Sequence, residues 1–195
     1  CGLSIPTSGQ AIVAGYDVMK DPEKVKKSIG YMSQKFSLYN DLTIIENIKF
    51  YGTIYGMQKN NLVKKSKQLI DRLGLTKEKH TRVESLPLGW KQKLAFSISI
   101  LHNPKIVFLD EPTGGVDPIT RRQFWEMIYE AADSGITIFV TTHYMDEAEY
   151  CNRVAIMVDG KIDALDSPKA LINQYKTDTM DDVFYQIAKK ATRGD

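Results

Sequence analysis

The chain is poor in cysteine. Only Cys1 and Cys151 occur in 195 residues, and their spacing makes neither a metal site nor a disulfide framework. That excludes a disulfide-stapled scaffold and fits a reducing compartment. Long hydrophobic runs are also missing: none approaches the ~20 apolar residues of a membrane span, and no signal-peptide pattern opens the chain. Any membrane role must therefore come through a partner. Neither sign of charge dominates. The 26 basic and 24 acidic residues leave a net charge of +2, and without a block of like charge this argues against DNA or RNA as the main partner. There is no internal repeat and no low-complexity segment. The length suits one domain with a sizeable core and is marginal for two, so a single domain over 1–195 is expected. Residue 1 is Cys rather than Met and leads at once into the turn signal Ile5-Pro6-Thr7-Ser8-Gly9; the expectation is a fragment whose amino-terminal part is lost.

What is present alternates between strand and helix patterns. Gln10 to Val13 and Ile29 to Met32 read as strands, with Asp21-Pro22-Glu23 opening a short helix between them. Thr43 with Glu46 forms a capping box. Behind it Ile44, Ile45, Ile48, Tyr51, Ile54 and Tyr55 recur at helical spacing until Gly56. A second helix carries Leu62, Leu69, Ile70 and Leu73 and ends at Gly74. A third follows Ser85-Leu86-Pro87-Leu88-Gly89, so that roughly residues 40–102 form a helical arm separate from the sheet. Pro118 starts an amphipathic helix to Ser134-Gly135, and Ile136 to Val140 is a second strand of the buried type, ending at Thr141-Thr142-His143. After a short helix around 145–151, Asp159-Gly160 is flanked by two strand patterns and gives the strongest hairpin signal in the chain. Helices start at Ser167-Pro168 and again around Val183, Phe184 and Ile187. The expected fold is α/β: a mostly parallel sheet flanked by helices, with a helical arm and a carboxyl-terminal β-hairpin.

Lys105 to Asp117 is the stretch that organises the rest. Ile106 to Leu109 reads as a strand buried on both faces, and it delivers Asp110 and Glu111 to its carboxyl end, where open α/β sheets hold ligands. Paired carboxylates there are costly unless used, and magnesium on a nucleotide phosphate would use them. Taken alone, each remaining candidate has a plain alternative. Gln34 passes for a solvated loop residue, Asp117 for a helix cap before Pro118, and Leu88-Gly89 for an ordinary Pro-started helix. His80 and His102 have no claim beyond a structural one.

In series these signals resemble the nucleotide-binding domains of ABC transporters, in that family's order: Gln34, Leu86-Pro87-Leu88-Gly89-Trp90, Asp110-Glu111, Gly115-Val116-Asp117, His143. The resemblance covers essentially the whole chain. The motif variants and the tail Met180-Asp181-Asp182-Val183-Phe184 look most like bacterial drug-efflux exporters of the ABC-2 type. It implies a P-loop NTPase-like fold with ATP and Mg²⁺ as ligands. Asp110 would hold the metal, partly through water. Glu111 would act as general base, and Gln34 would touch the metal shell and the attacking water. His143 would hydrogen-bond the γ-phosphate. Leu88, Gly89 and Asp117 would face ATP of, or contact, a second ATP-binding subunit in a homo- or heterodimer. The family's usual Leu-Ser-Gly-Gly-Gln is altered here by Pro87, Leu88 and Trp90, and the serine hydroxyl is absent. No Gly-x-x-x-x-Gly-Lys-[Ser/Thr] occurs; in the family it lies just before the Ile-Pro-Thr-Ser-Gly turn, so the phosphate cradle is expected before residue 1.

The resemblance further implies a polytopic membrane permease as partner and a peripheral position on the cytoplasmic face of the cell membrane. Phe36, Leu38, Tyr39 and Leu42 are candidates for a groove that takes a coupling helix of that permease, or else for packing within the arm. Two other readings stand beside this one: a soluble ABC ATPase acting on ribosomes or DNA, and a non-catalytic ABC-like module.

Overall fold

A computed structural model describes residues 6–34 and 38–190, without the side chain of Lys190. The chain divides into two compact units, 1–141 and 142–195.

The first unit is built on a three-stranded parallel sheet. β1 (Ile12–Val13) and β2 (Tyr16–Asp17) form a small antiparallel hairpin, followed by α1 (Pro22–Ser28) and β3 (Ile29–Met32). The helices α2 (Ile44–Ile54), α3 (Lys59–Arg72) and α4 (Leu88–Ser99) come next, then β4 (Ile106–Asp110), α5 (Pro118–Asp133) and β5 (Thr137–Thr141). β4 lies between β3 and β5 and is parallel to both. Gly30, Val107 and Ile138 stand in register on one face, and Tyr31, Phe108 and Phe139 on the other.

The first face is the packed one. Val107 and Leu109 are fully buried, and Gly30 lies so close to α4 that an added Cβ would sit 2.2 Å from the Ser99 carbonyl oxygen. The second face is open: Tyr31 is 39% and Phe139 52% exposed. The expectation that β4 is covered on both faces is therefore corrected, because its residues alternate between buried and half-buried. Along β5 the alternation runs between exposed and half-buried. A continuous apolar run reports composition, but the number of covered faces depends on what packs there.

The arm forms as the capping signals imply. Thr43 Oγ1 accepts from the Glu46 amide at 3.3 Å, and the Glu46 carboxylate accepts from the Thr43 amide at 2.8 Å, closing the capping box. Glu46 is held below the usual carboxylate range first by the Thr43 hydroxyl, which donates to its carboxylate at 2.7 Å, and then by the Thr43 amide. Gly56 and Gly74 take positive φ just past α2 and α3, where a helix end needs a left-handed residue. Gly52 lets α2 approach the side chain of Leu62 on α3. Asn47, fully buried on α2, donates to the carbonyls of Tyr39, Leu42 and Thr43 and so fixes the loop that enters the arm.

The second unit contains α6 (Met145–Ala148), the antiparallel pair β6 (Val154–Val158) and β7 (Lys161–Asp166), α7 (Pro168–Tyr175) and α8 (Met180–Lys190). Its core is Ala148, Ile156, Ala164, Leu171, Met180, Val183 and Ile187. Asp159 and Gly160 both have positive φ, as the expected hairpin turn requires. Among the described residues no helix is long and apolar enough to cross a membrane.

Candidate functional site

The carboxyl ends of β3 and β4 bring Gln34 and Glu111 together across 77 positions of sequence. Gln34 Nε2 donates to Glu111 Oε2 at 2.5 Å. Asp110 is tied in from the other side, since Thr141 Oγ1 at the end of β5 donates to Asp110 Oδ1 at 2.6 Å. The Glu111 amide donates to the Thr141 carbonyl at 3.0 Å and approaches its hydroxyl at 3.3 Å. Three adjacent strand ends thus converge on one pair of acids. Glu111 has φ +44°, a left-handed conformation that non-glycine residues rarely hold, and such strain collects where a side chain must be aimed.

The turn behind Glu111 is braced from the helix that follows the altered Leu-Pro-Leu-Gly-Trp motif. Gly114 N–H donates to the Glu111 carbonyl at 3.2 Å, and the Gly114 carbonyl accepts from Nε2 of buried Gln92 at 3.1 Å. Leu88 and Gly89 begin α4, and an added Cβ on Gly89 would lie 2.4 Å from Thr120 Cγ2. Gly89 therefore serves a close approach of α4 to α5 within the chain. Pro87, Leu88, Gly89, Trp90 and Lys93 line a cavity of about 350 Å³ together with Gly115, Val116, Asp117, Thr120 and Gln123.

Asp117 caps α5. Its Oδ1 accepts from the amides of Ile119 and Thr120 at 3.0 Å, and its Oδ2 from Thr120 Oγ1 at 2.6 Å. The Thr120 side chain first, then the backbone amides, hold its carboxyl below the usual range. The plain reading as a helix cap is thus realised, beside any intersubunit role.

His143 belongs to the second unit, as an exposed residue whose ring packs on Tyr144 with centroids 4.1 Å apart. Of the groove candidates, Phe36 lies outside the described residues and Leu38 is buried. Tyr39 stays on the surface and meets Phe50 edge-on at 4.9 Å, and Phe50 in turn meets Tyr51 at 5.3 Å.

Sequence reasoning missed Thr141, Gln92 and Asn47. A β-branched hydroxyl residue closing a strand beside an Asp-bearing strand could have flagged Thr141. A glutamine on the buried side of α4 could have flagged Gln92.

A family profile described as "ABC transporter" matches residues 1–114. The chain belongs to the ABC transporter family. It is similar to the Escherichia coli "Probable multidrug ABC transporter ATP-binding protein YbhF", at 44% identity over 192 residues, which covers 96% of this chain and 33% of that protein. Similarity to the Bacillus subtilis "Linearmycin resistance ATP-binding protein LnrL" is 32% over 180 residues, covering 92% of this chain and 58% of that one. The chain thus spans about a third of the length of the first of these relatives. A solved structure described as "Structure of ATP binding subunit of ABC transporter" superposes with a TM-score of 0.83 at 24% identity, covering 95% of this chain and 79% of that one. The ABC domain therefore has the α/β P-loop fold expected of it, and the family function is nucleotide binding.

The donor set around Asp110 bears on a divalent ion. Among the described residues no group of three His, Cys, Asp or Glu could cage a metal. One aspartate with an amide nearby fits a Mg²⁺ that keeps most of its water and takes its other ligands from substrate phosphates.

Proposed function

We propose that this domain is the ATP-hydrolysing part of an ABC exporter that works as a dimer beneath a membrane permease. The observation that carries the reading is the Gln34–Glu111 hydrogen bond beside an Asp110 held by Thr141. Hydrolysis of a γ-phosphate asks for a water held in line and charge stabilisation around the phosphate. Glu111 orients and polarises that water as general base. The Gln34 amide adds a neutral hydrogen-bonding group next to the same carboxylate. Asp110 would hold a magnesium ion, partly through water, and that ion would supply charge neutralisation at the phosphates. His143 hydrogen-bonds the γ-phosphate.

Leu88, Gly89 and Asp117 line one open cavity, and in the proposed reading this cavity faces the nucleotide of the second subunit. Leu88 and Trp90 are both exposed, which supports a surface completed by a partner. No Gly-x-x-x-x-Gly-Lys-[Ser/Thr] occurs within residues 1–195, so none of the roles proposed here is given to such a loop. The Tyr39, Phe50 and Tyr51 cluster supports a contact with the permease on the cytoplasmic side. The near-neutral charge supports a protein rather than a nucleic-acid partner.

The test is Glu111→Gln in the complete protein. ATP binding is expected to persist while turnover falls to about a hundredth or less. Normal turnover in that variant would remove Glu111 from the role. Co-purification with a polytopic membrane protein supports the exporter assignment; turnover stimulated by nucleic acid overturns it.

A further inference from the structure

Glu147 is the one acid among the buried residues of the described chain, at 0% exposure, and nothing in the proposed chemistry uses it. Removing a carboxylate from water is expensive unless hydrogen bonds compensate. Part of that compensation comes from Thr142, the residue before His143. Thr142 Oγ1 donates to Glu147 Oε2 at 2.7 Å, and the same hydroxyl accepts from the Tyr144 amide at 3.0 Å. A hydroxyl has one proton and two lone pairs. The carboxylate, as acceptor, takes the proton and leaves a lone pair aimed at Tyr144.

The turn is closed from the backbone as well, since the Glu147 amide donates to the Tyr144 carbonyl at 3.2 Å and to Asp146 Oδ1 at 3.0 Å. Both neighbours of His143 are thus fastened to Glu147, one through its hydroxyl and the other through its backbone. The imidazole between them projects as an exposed group. The anchor is itself fixed in the second unit: Glu147 sits on α6 beside Ala148, a core residue. The Glu149 carboxylate, two positions on, accepts from the Met180 amide that opens α8 at 3.4 Å. Burial first, and the charge of Glu147 second, push the nearby Cys151 thiol above its ordinary value.

We infer that Glu147, acting through the Thr142 hydroxyl, is a positioning residue that aims His143 for γ-phosphate hydrolysis. The inference rests on the role proposed for His143. It assigns no chemistry to Glu147, which acts only through the turn.

The test compares Thr142→Val and Thr142→Ser in the full-length ATPase, with turnover expressed per nucleotide-bound site so that unfolded protein does not count. Valine keeps the volume and removes the hydroxyl. Thr142→Val is expected to lower kcat about tenfold with KM for ATP within twofold, and Thr142→Ser to keep at least half of normal turnover. In the same samples the Tyr144 amide should exchange with deuterium faster in Thr142→Val alone. Turnover of Thr142→Val within twofold of normal, or equal losses in the valine and serine variants, would overturn the inference. His143→Ala separates the two layers. Normal turnover in His143→Ala removes the histidine role and this inference with it. An inactive His143→Ala beside a normal Thr142→Val removes the inference alone.

Discussion

Glu111 and Glu147 are two carboxylates in opposite settings. Glu111 directly follows β4, keeps part of its surface open, sits at a positive φ and accepts from the Gln34 amide. Glu147 lies within a short helix, is wholly buried, and meets a hydroxyl that is itself committed to a backbone amide. An acid that must touch water and substrate needs access and a fixed aim. An acid that only holds a neighbour in place is better served by burial, where its hydrogen bonds are strong and removal is costly. The contrast teaches that exposure together with backbone strain marks the group proposed to react, while burial together with a relay marks the group inferred to support.

Substitutions should separate the two roles, and the largest effect belongs to Glu111. Glu111→Gln should cost about 10²–10⁴ in kcat. A loss of that size from Thr142→Val, the relay variant, would erase the distinction. Gln34→Ala should fall between the two. It leaves Glu111 on its strained turn but without its amide partner, and about a tenfold to hundredfold loss of kcat is expected by steady-state kinetics. No loss would mean that the strained turn alone suffices to aim the carboxylate.

The half-buried His102 extends the contrast without chemistry. His102 stacks on Tyr55 at 3.8 Å and its Nε2 lies 3.1 Å from the Ile29 carbonyl, while its Nδ1 has no hydrogen-bond partner among the described residues. Burial pushes its pKa from 6.5 down to about 4. The folded chain thus favours the neutral ring. Stability is full above pH 6.5 and is lost as pH falls from there towards 4, because the unfolded chain takes up the proton first. Because the ring is only partly buried, solvent screening trims its share, and between pH 7 and pH 4.5 its contribution should fall by about 1 kcal/mol by urea denaturation; the loss of stability should shrink by that amount in His102→Phe. The smallest effect is expected at Thr43. Thr43→Ala removes the hydroxyl cap of α2 and should lower stability by about 1 kcal/mol, with turnover per folded molecule unchanged.

Local signals were legible because they act over a few residues. The capping box at Thr43 and Glu46, the glycines after α2 and α3, and the Asp159-Gly160 turn all stand where the chain predicted them. The hairpin of β1 and β2 was missed, although its Ala14-Gly15 turn has the same pair of positive φ values. Alanine pays a steric penalty there that aspartate tolerates better, so the residue type gave no cue. Exposure of the sheet faces was not legible either, since it depends on neighbours that composition does not specify. For the site, the order of motifs located Gln34 and Glu111 but not the hydroxyls and amides that fasten them. Thr141, Thr142 and Gln92 act through contacts that only the folded chain brings together.

The open sheet face has a practical side. Tyr31, Phe108 and Phe139 form a row across three parallel strands, with the last two rings 5.5 Å apart. Such a row of rings is sticky in water. Residues 1–195 produced by themselves should bind a reporter dye such as ANS and drift towards higher-mass species as concentration rises, so purification yield would depend on mild detergent more than on salt.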